Sequence, residues 1–180
     1  MKMSARTIIS AADFAAKPLD IFSSGWFILT TGSFASGKFN GMTVSWGAAG
    51  TLWGKPFAMV LVRPQRHTLK FINSCDSFTL SAFAPEYRKA LNFFGSKSGA
   101  ECDKFKETGL TPEASLKVSA PSIKEAELVI ECRKTYCDWL KPEHFLDKEA
   151  IEKWYPARDF HKFFFGEILA VSGTEKYKIS

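Results

Sequence analysis

The chain has 180 residues, a formal charge of +5 and a sequence pI near 9.0; 46% of its residues are hydrophobic and 14% aromatic, 17 of them Phe. This apolar content excludes global disorder, suffices for one core plus an aromatic-lined pocket or subunit interface, and suits a single domain over residues 1–180. The basic charge admits a nucleic acid or a phosphorylated small molecule. The lysines are scattered through the second half, however, with no basic stretch interleaved with aromatics, so no nucleic-acid partner is expected.

The four cysteines, Cys75, Cys102, Cys132 and Cys137, form no CxxC and have no histidines at zinc-like spacing, which predicts reduced thiols and no metal site. Cys132 and Cys137 are an odd number of residues apart, so on one strand they face opposite sides and do not pair. Asp13 interrupts the apolar N-terminal stretch, and no run approaches the roughly 20 apolar residues of a membrane helix. The expectation is a soluble, cytoplasmic protein with no membrane partner.

In chain order, Phe22 to Ser33 mixes aromatic, β-branched and small residues and predicts a strand. Gly37 and the hairpin signal Asn40-Gly41 mark a turn. Thr43–Ala49, Phe57–Val62 and Ser77–Phe83 read as further strands, with Gly54-Lys55-Pro56 between the first two. Arg66–Asn73 predicts a short helix, and Pro85–Phe94 a clearer one, with Tyr87, Leu91 and Phe94 on one stripe and Gly95 closing it. Gly99–Thr108 is read as helical and ended by Gly109. Leu128–Tyr136 is strand-like, Asp147–Tyr155 helical, and His161–Gly173 a long apolar strand whose three successive Phe residues imply burial on both faces, in the core or against another subunit. Six or seven strands with inserted helices make a mainly β, α+β chain: an elaborated antiparallel, Greek-key-like barrel rather than a doubly wound sheet. No internal repeat and no Gly-rich phosphate fingerprint is present.

Two stretches carry chemistry. In NGMTVSWG, Thr43 and Ser45 place hydroxyls on one strand face while Val44 and Trp46 point the other way, so one face can bond a planar polar ring and the other can pack. In VRPQRHT, Arg63, Arg66, His67 and Thr68 supply cationic and hydroxyl donors that suit a phosphate. The spacing alone favours the plainer reading, Arg63 and Arg66 as solvated surface charges and His67 as a capping residue.

The segments NGMTVSWGAAGTLWGKPFAMVLVRPQRHTLKFI, FTLSAF and LNFFGSKSGAECDKF, in this order and spacing, resemble the flavin reductase-like family with the FMN-binding split β-barrel, particularly its flavoredoxin-type branch. The resemblance runs from about Phe22 to Val171. It implies a homodimer holding FMN near the subunit interface, with NADH, NADPH or a protein as electron donor and a small-molecule or protein acceptor. It also implies that Thr43, Val44, Ser45 and Trp46 lie along the isoalloxazine, that Arg63, Arg66, His67 and Thr68 surround the flavin and its phosphate, and that Ser98 and Lys104 help with the phosphate. The bland alternatives for these last two are a helix cap and a solvated lysine. In two-component flavin reductases a Gly-Asp-His stretch carries a histidine associated with nicotinamide; here His161 keeps its interval to Gly166-Glu167, but Asp159-Phe160 precede it.

On this reading the flavin carries the chemistry and no protein nucleophile or acid–base pair is required. Two other functions fit the same residues: a non-catalytic FMN-binding electron carrier, suggested by the missing Gly-Asp-His context, and a haem-binding relative with His67 or His161 as ligand.

Overall fold

The computed structural model describes residues 5–179. Its strands are β1 (Thr7–Ile9), β2 (Phe27–Ser33), β3 (Lys38–Val44), β4 (Gly47–Leu52), β5 (Lys55–Val62), β6 (Ser77–Ala82), β7 (Pro112–Glu113), β8 (Ser122–Ile123), β9 (Leu128–Trp139) and β10 (Lys162–Gly173). The helices are α1 (Pro18–Asp20), α2 (Thr68–Ser74), α3 (Arg88–Ser96), α4 (Lys104–Thr108) and α5 (Lys148–Trp154). No helix among the described residues is long and apolar enough to cross a membrane.

One antiparallel sheet runs in the order β3-β2-β6-β9-β10-β5-β4, and β1 continues the β5 side by pairing with the end of β10. Its two edge strands, β3 and β4, are consecutive in sequence and joined only by Ser45-Trp46. Laid flat, a sheet of this width would hold them roughly 30 Å apart, whereas the link from Val44 to Gly47 spans at most about 11 Å. The sheet is therefore rolled until its edges nearly meet. The edges do not pair, so the barrel is split rather than closed.

The rolled interior takes the inward residues of each strand: Phe27 and Leu29 from β2, Val44 from β3, Ala58, Val60 and Val62 from β5, Phe78 and Leu80 from β6, Leu128 and Ile130 from β9, and Phe164 from β10. A second apolar layer lies between the outer face of β2 and β9 and helix α3, where Ile28 and Val129 meet Leu91, Phe94 and Phe105. On β5 the alternation is clear, with Phe57, Met59 and Leu61 facing outward and half-exposed. The Phe triplet divides the same way: Phe164 is fully buried, while Phe163 and Phe165 join Tyr136 and Phe57 in an aromatic cluster on the outside. All four cysteines are free, with Cys132 buried and Cys137 exposed.

Several element boundaries differ from the sequence expectation. Phe22 to Gly25 belong to a π turn (Ile21–Gly25) in which Phe22 plugs the core, so the strand begins only at Phe27. The hairpin turn is formed by residues 34–37, with Gly37 at φ +67°, and Asn40-Gly41 lies inside β3. Gly41 is there because a Cβ would come within 3.0 Å of the Phe94 ring on α3, a demand for space that looks in sequence like a turn signal. The expected strand Thr43–Ala49 breaks at Ser45-Trp46, where the chain crosses from one sheet edge to the other. Helix α3 runs through Gly95 to Ser96, and only Lys104–Thr108 of the expected Gly99–Thr108 helix forms, because Asp103 caps it by accepting from the amides of Phe105 and Lys106.

Gly47 receives the link on β4, and a methyl group there would meet the Phe22 ring and lie 2.5 Å from the Met59 carbonyl. Gly47→Ala is expected to lower stability by about 1–3 kcal/mol, measured as a shift in urea midpoint with unchanged slope. An unchanged midpoint would show that the roll tolerates widening at this point.

Candidate functional site

The link opens onto a cleft of about 520 Å³ at the split. Thr43, Val44, Ser45 and Trp46 form one wall, Leu61 and Arg63 at the end of β5 another, and Leu91, Asn92, Gly95 and Ser96 of α3 a third. Trp26, Trp154 and His161 complete the rim. The size lies within the range of small-molecule pockets, roughly 300–1,000 Å³. The Thr43 hydroxyl donates to the Leu91 carbonyl and so holds α3 against β3; its proton is not free for a ligand. Trp46 stands edge-on to Trp154 at 5.1 Å. Trp26 adopts φ 64°, ψ 155°, a region close to glycine-only, as it leaves the π turn, and the Arg88 guanidinium lies 4.3 Å over its ring. Such strain in a bulky residue, about 1–3 kcal/mol, marks a side chain held in place by its surroundings.

The cleft runs on through Arg66 and Ser96 into a smaller pocket of about 160 Å³, shared by Asn40, His67, Thr68, Ser98, Gly99 and Lys104. Arg66 donates to the carbonyls of Gly95 at 2.5 Å and Phe94 at 3.1 Å, while Lys104 Nζ donates to those of Phe94 at 3.2 Å and Lys97 at 3.4 Å. Two cations thus crowd the C-terminal end of α3, where the helix dipole favours positive charge. Lys104 is 3% exposed, and no carboxylate lines the pocket or the cleft. Burial holds the Arg66 guanidinium below its ordinary range; burial first and Arg66 next push the Lys104 ammonium down to about 8, with Cys102 opposing. Each cation keeps unused donors, since these bonds engage two of five in Arg66 and two of three in Lys104. Two partly desolvated, mutually repelling cations with no carboxylate in the lining leave donors that could take an anion.

Asn40 braces this pocket, donating its amide to the Thr68 hydroxyl at 2.9 Å, and a Cβ on Gly99 would collide with the Asn40 side chain. Lys104 is therefore not a solvated lysine, nor Ser98 the cap of α4, a place taken by Asp103. His67 occupies the N-cap position of α2 without a side-chain cap bond and packs edge-on to Phe71. Arg63 lies on the cleft wall with its charge already paired: it bridges to Asp159 at 2.5 Å and donates to the Trp154 carbonyl at 2.9 Å, tying the segment around α5 to the barrel rim. Arg63 and Gln65 hold the Asp159 carboxyl below the usual range. His161 is buried beside Trp46, and burial first, then Arg63, push its imidazole down to about 4.

The structure therefore brings Thr43, Val44, Ser45, Trp46, Arg63, Arg66 and His161 to the cleft, and Arg66, His67, Thr68, Ser98 and Lys104 to the smaller pocket. Sequence reasoning missed Trp26, Asn40, Trp154 and Asp159. Only Asn40 carried a local signal, and it pointed to a turn.

A split antiparallel barrel with an aromatic cleft leading into a cationic pocket could take a planar, anion-bearing group. Residues 19–178 match the model of the flavin reductase-like domain, and the chain belongs to that family. Its chemistry is accordingly flavin-linked redox chemistry, and the two cavities fit such a cofactor by shape and charge. An uncharacterized protein of Archaeoglobus fulgidus is 29% identical over 141 residues, covering 78% of this chain and 69% of its own. The flavoredoxin of Desulfovibrio vulgaris (Miyazaki F) superposes with a TM-score of 0.65 at 24% identity, over 98% of this chain and 77% of its own. An FMN-binding domain of a flavin reductase-like enzyme from Shewanella baltica gives 0.68 at 15%, over 97% and 80%. At these identities the two structures establish the shared fold.

The unfolded chain keeps the Lys104 proton up to about the ordinary 10.5, whereas the folded protein releases it near 8. Between these values the unfolded chain binds more protons, so stability rises with pH; below about 8 the full cost of the buried charge is present. The stability of flavin-free wild type relative to Lys104→Met should therefore rise from pH 8 to 10, measured by urea unfolding. A flat difference would place the charge of Lys104 in solvent.

Proposed function

We propose that the protein is an FMN-dependent oxidoreductase of the flavin reductase or flavoredoxin type, taking electrons from NADH, NADPH or a protein donor and passing them to a small-molecule or protein acceptor. The observation that carries this reading is the pair of half-buried Arg66 and buried Lys104 at the end of an aromatic cleft, with no acid among the residues lining either cavity. In this assignment Arg66, Lys104, Thr68, His67 and Ser98 hold the phosphate, and residues 43–46 lie along the ring. When bound, the flavin supplies the two-electron chemistry, accepting a hydride and releasing electrons singly or in pairs. The protein's own share is to bind, orient and exclude water. Arg63 shapes the rim through Asp159 rather than holding the phosphate, because Asp159 already neutralises it and it does not line the smaller pocket.

The same residues fit a carrier that receives electrons only from a protein, and the Asp159–Arg63 pair favours it: the residue that replaces the expected glycine context is locked into the rim. The four free thiols suit a reducing compartment such as the cytoplasm. We also assign the outer aromatic cluster to a second copy of the chain. Phe163 and Phe165 lie 5.4 Å apart, Phe57 and Tyr136 flank them, and Tyr136 is 48% exposed, an apolar face beside the cleft residue Leu61.

The deciding experiment is the visible spectrum after FMN addition and desalting, followed by anaerobic NADH and NADPH. Retained bands that bleach are expected of the reductase; retained bands that persist assign the carrier, and absence of retained flavin at micromolar protein overturns the tight-cofactor reading. Arg66→Ala with Thr68→Ala is expected to weaken FMN roughly ten- to hundredfold with a smaller effect on the unfolding of the apoprotein; equal losses would make both residues structural. Light scattering should give twice the 20.1 kDa chain mass, and Phe163→Lys with Phe165→Lys should halve it. A wild-type monomer at micromolar concentration would remove the dimer.

A further inference from the structure

His161 stands on the cleft wall outside the cationic pocket. Its imidazole is 7% exposed, its ring centroid lies 5.2 Å from that of Trp46, and its Nδ1 lies 2.8 Å from the Tyr155 hydroxyl. Tyr155 is itself clamped: Phe160 stacks on it at 4.8 Å, Phe145 meets it edge-on at 5.8 Å, and the Arg63 guanidinium lies 5.2 Å over its ring. The flavin reading gives Tyr155 no task.

The proton between these two rings has a preferred side. A phenol, with a pKa near 10, is a stronger donor than a neutral imidazole N–H, and an imidazole nitrogen is a stronger acceptor than a phenol oxygen. Tyr155 therefore donates to Nδ1, and the ring's own proton sits on Nε2. Nε2 has no hydrogen-bond partner among the described residues, and His161 lines the cleft, where a ligand would meet it. Burial first, and Arg63 next, keep the ring neutral. Arg63 opposes an imidazolium, and Asp159, which would favour one, is already engaged by Arg63 at 2.5 Å and Gln65 at 2.8 Å.

We propose that Tyr155 is a positioning residue that fixes His161 as the neutral Nε2–H tautomer, so that the cleft offers an N–H donor to a carbonyl oxygen of a planar heterocycle. The inference rests on the cleft taking a flavin ring or its nicotinamide donor, whose ring carbonyls and carboxamide present the same acceptor.

The test is long-range proton–nitrogen correlation on protein labelled with 15N-histidine, without flavin. The three histidines, His67, His144 and His161, are assigned with single His→Gln variants. At pH 7 the His161 spectrum should show Nε2 protonated and Nδ1 bare; a protonated Nδ1 or an imidazolium would overturn the proposal. Tyr155→Phe keeps the stacked ring and should yield a mixture of tautomers; an unchanged spectrum would deny Tyr155 its role. FMN is then added, followed by NADH. Movement of the Nε2–H resonance at the first addition names the flavin carbonyl as acceptor, movement at the second names the carboxamide, and movement at neither overturns the donor role. The ligand that moves it should bind Tyr155→Phe about two- to twelvefold more weakly. Because the tautomer is read without flavin, its failure is separate from failure of the cofactor reading.

Discussion

Two residues, Ser45 and Trp46, determine the shape of the molecule. They join the two edge strands of one sheet, and a link this short between edges that a flat sheet would hold roughly 30 Å apart forces the sheet to roll. The unpaired seam left between the edges is where a ligand can reach backbone and side chains together. Trp46, Thr43 and the end of β5 are brought to the seam by the crossing itself, while α3 is pressed against β3 by the contact of Phe94 with Gly41 and the bond from Thr43 to Leu91. The cleft is thus a consequence of how the barrel fails to close.

Helix α3 then adds the charge. Its last carbonyls are capped by Arg66 from the β5–α2 connection and Lys104 from the start of α4, and these bonds orient two cations that repel each other. In the absence of an anion this arrangement costs stability, because both are desolvated and neither has a carboxylate. A phosphate reverses the sign of each term, supplying the counter-charge and accepting the unused donors. On the proposed reading the site is built ahead of its ligand, since the cleft and the cationic pocket have only Arg66 and Ser96 in common.

Much of this was legible in the sequence. The strands β5, β6, β9 and β10 and the helices α2, α3 and α5 follow from period and punctuation, whereas the short pair β7 and β8 does not, and the family resemblance identified the stretches that meet at the cleft. What stayed hidden was set by tertiary demands. Asn40-Gly41 has the composition of a turn, yet Gly41 is small because Phe94 sits on it and Asn40 is polar because it bonds Thr68. Lys104 was marked only by the family resemblance; period and composition read it as one more surface lysine, and its burial against the α3 carbonyls has no local trace. The partnership of Arg63 with Asp159 joins positions nearly a hundred residues apart and leaves no local trace.

The central claim, that the cleft takes the flavin ring and the Arg66–Lys104 pocket its phosphate, is tested most directly by comparing FMN with riboflavin. The two share a ring and differ by the phosphate alone. Dissociation constants from flavin fluorescence quenching at pH 7 should be at least about tenfold lower for FMN, one charge-assisted contact or more. Equal affinities for the two would contradict the account, because the buried cations would then serve the fold and not the ligand.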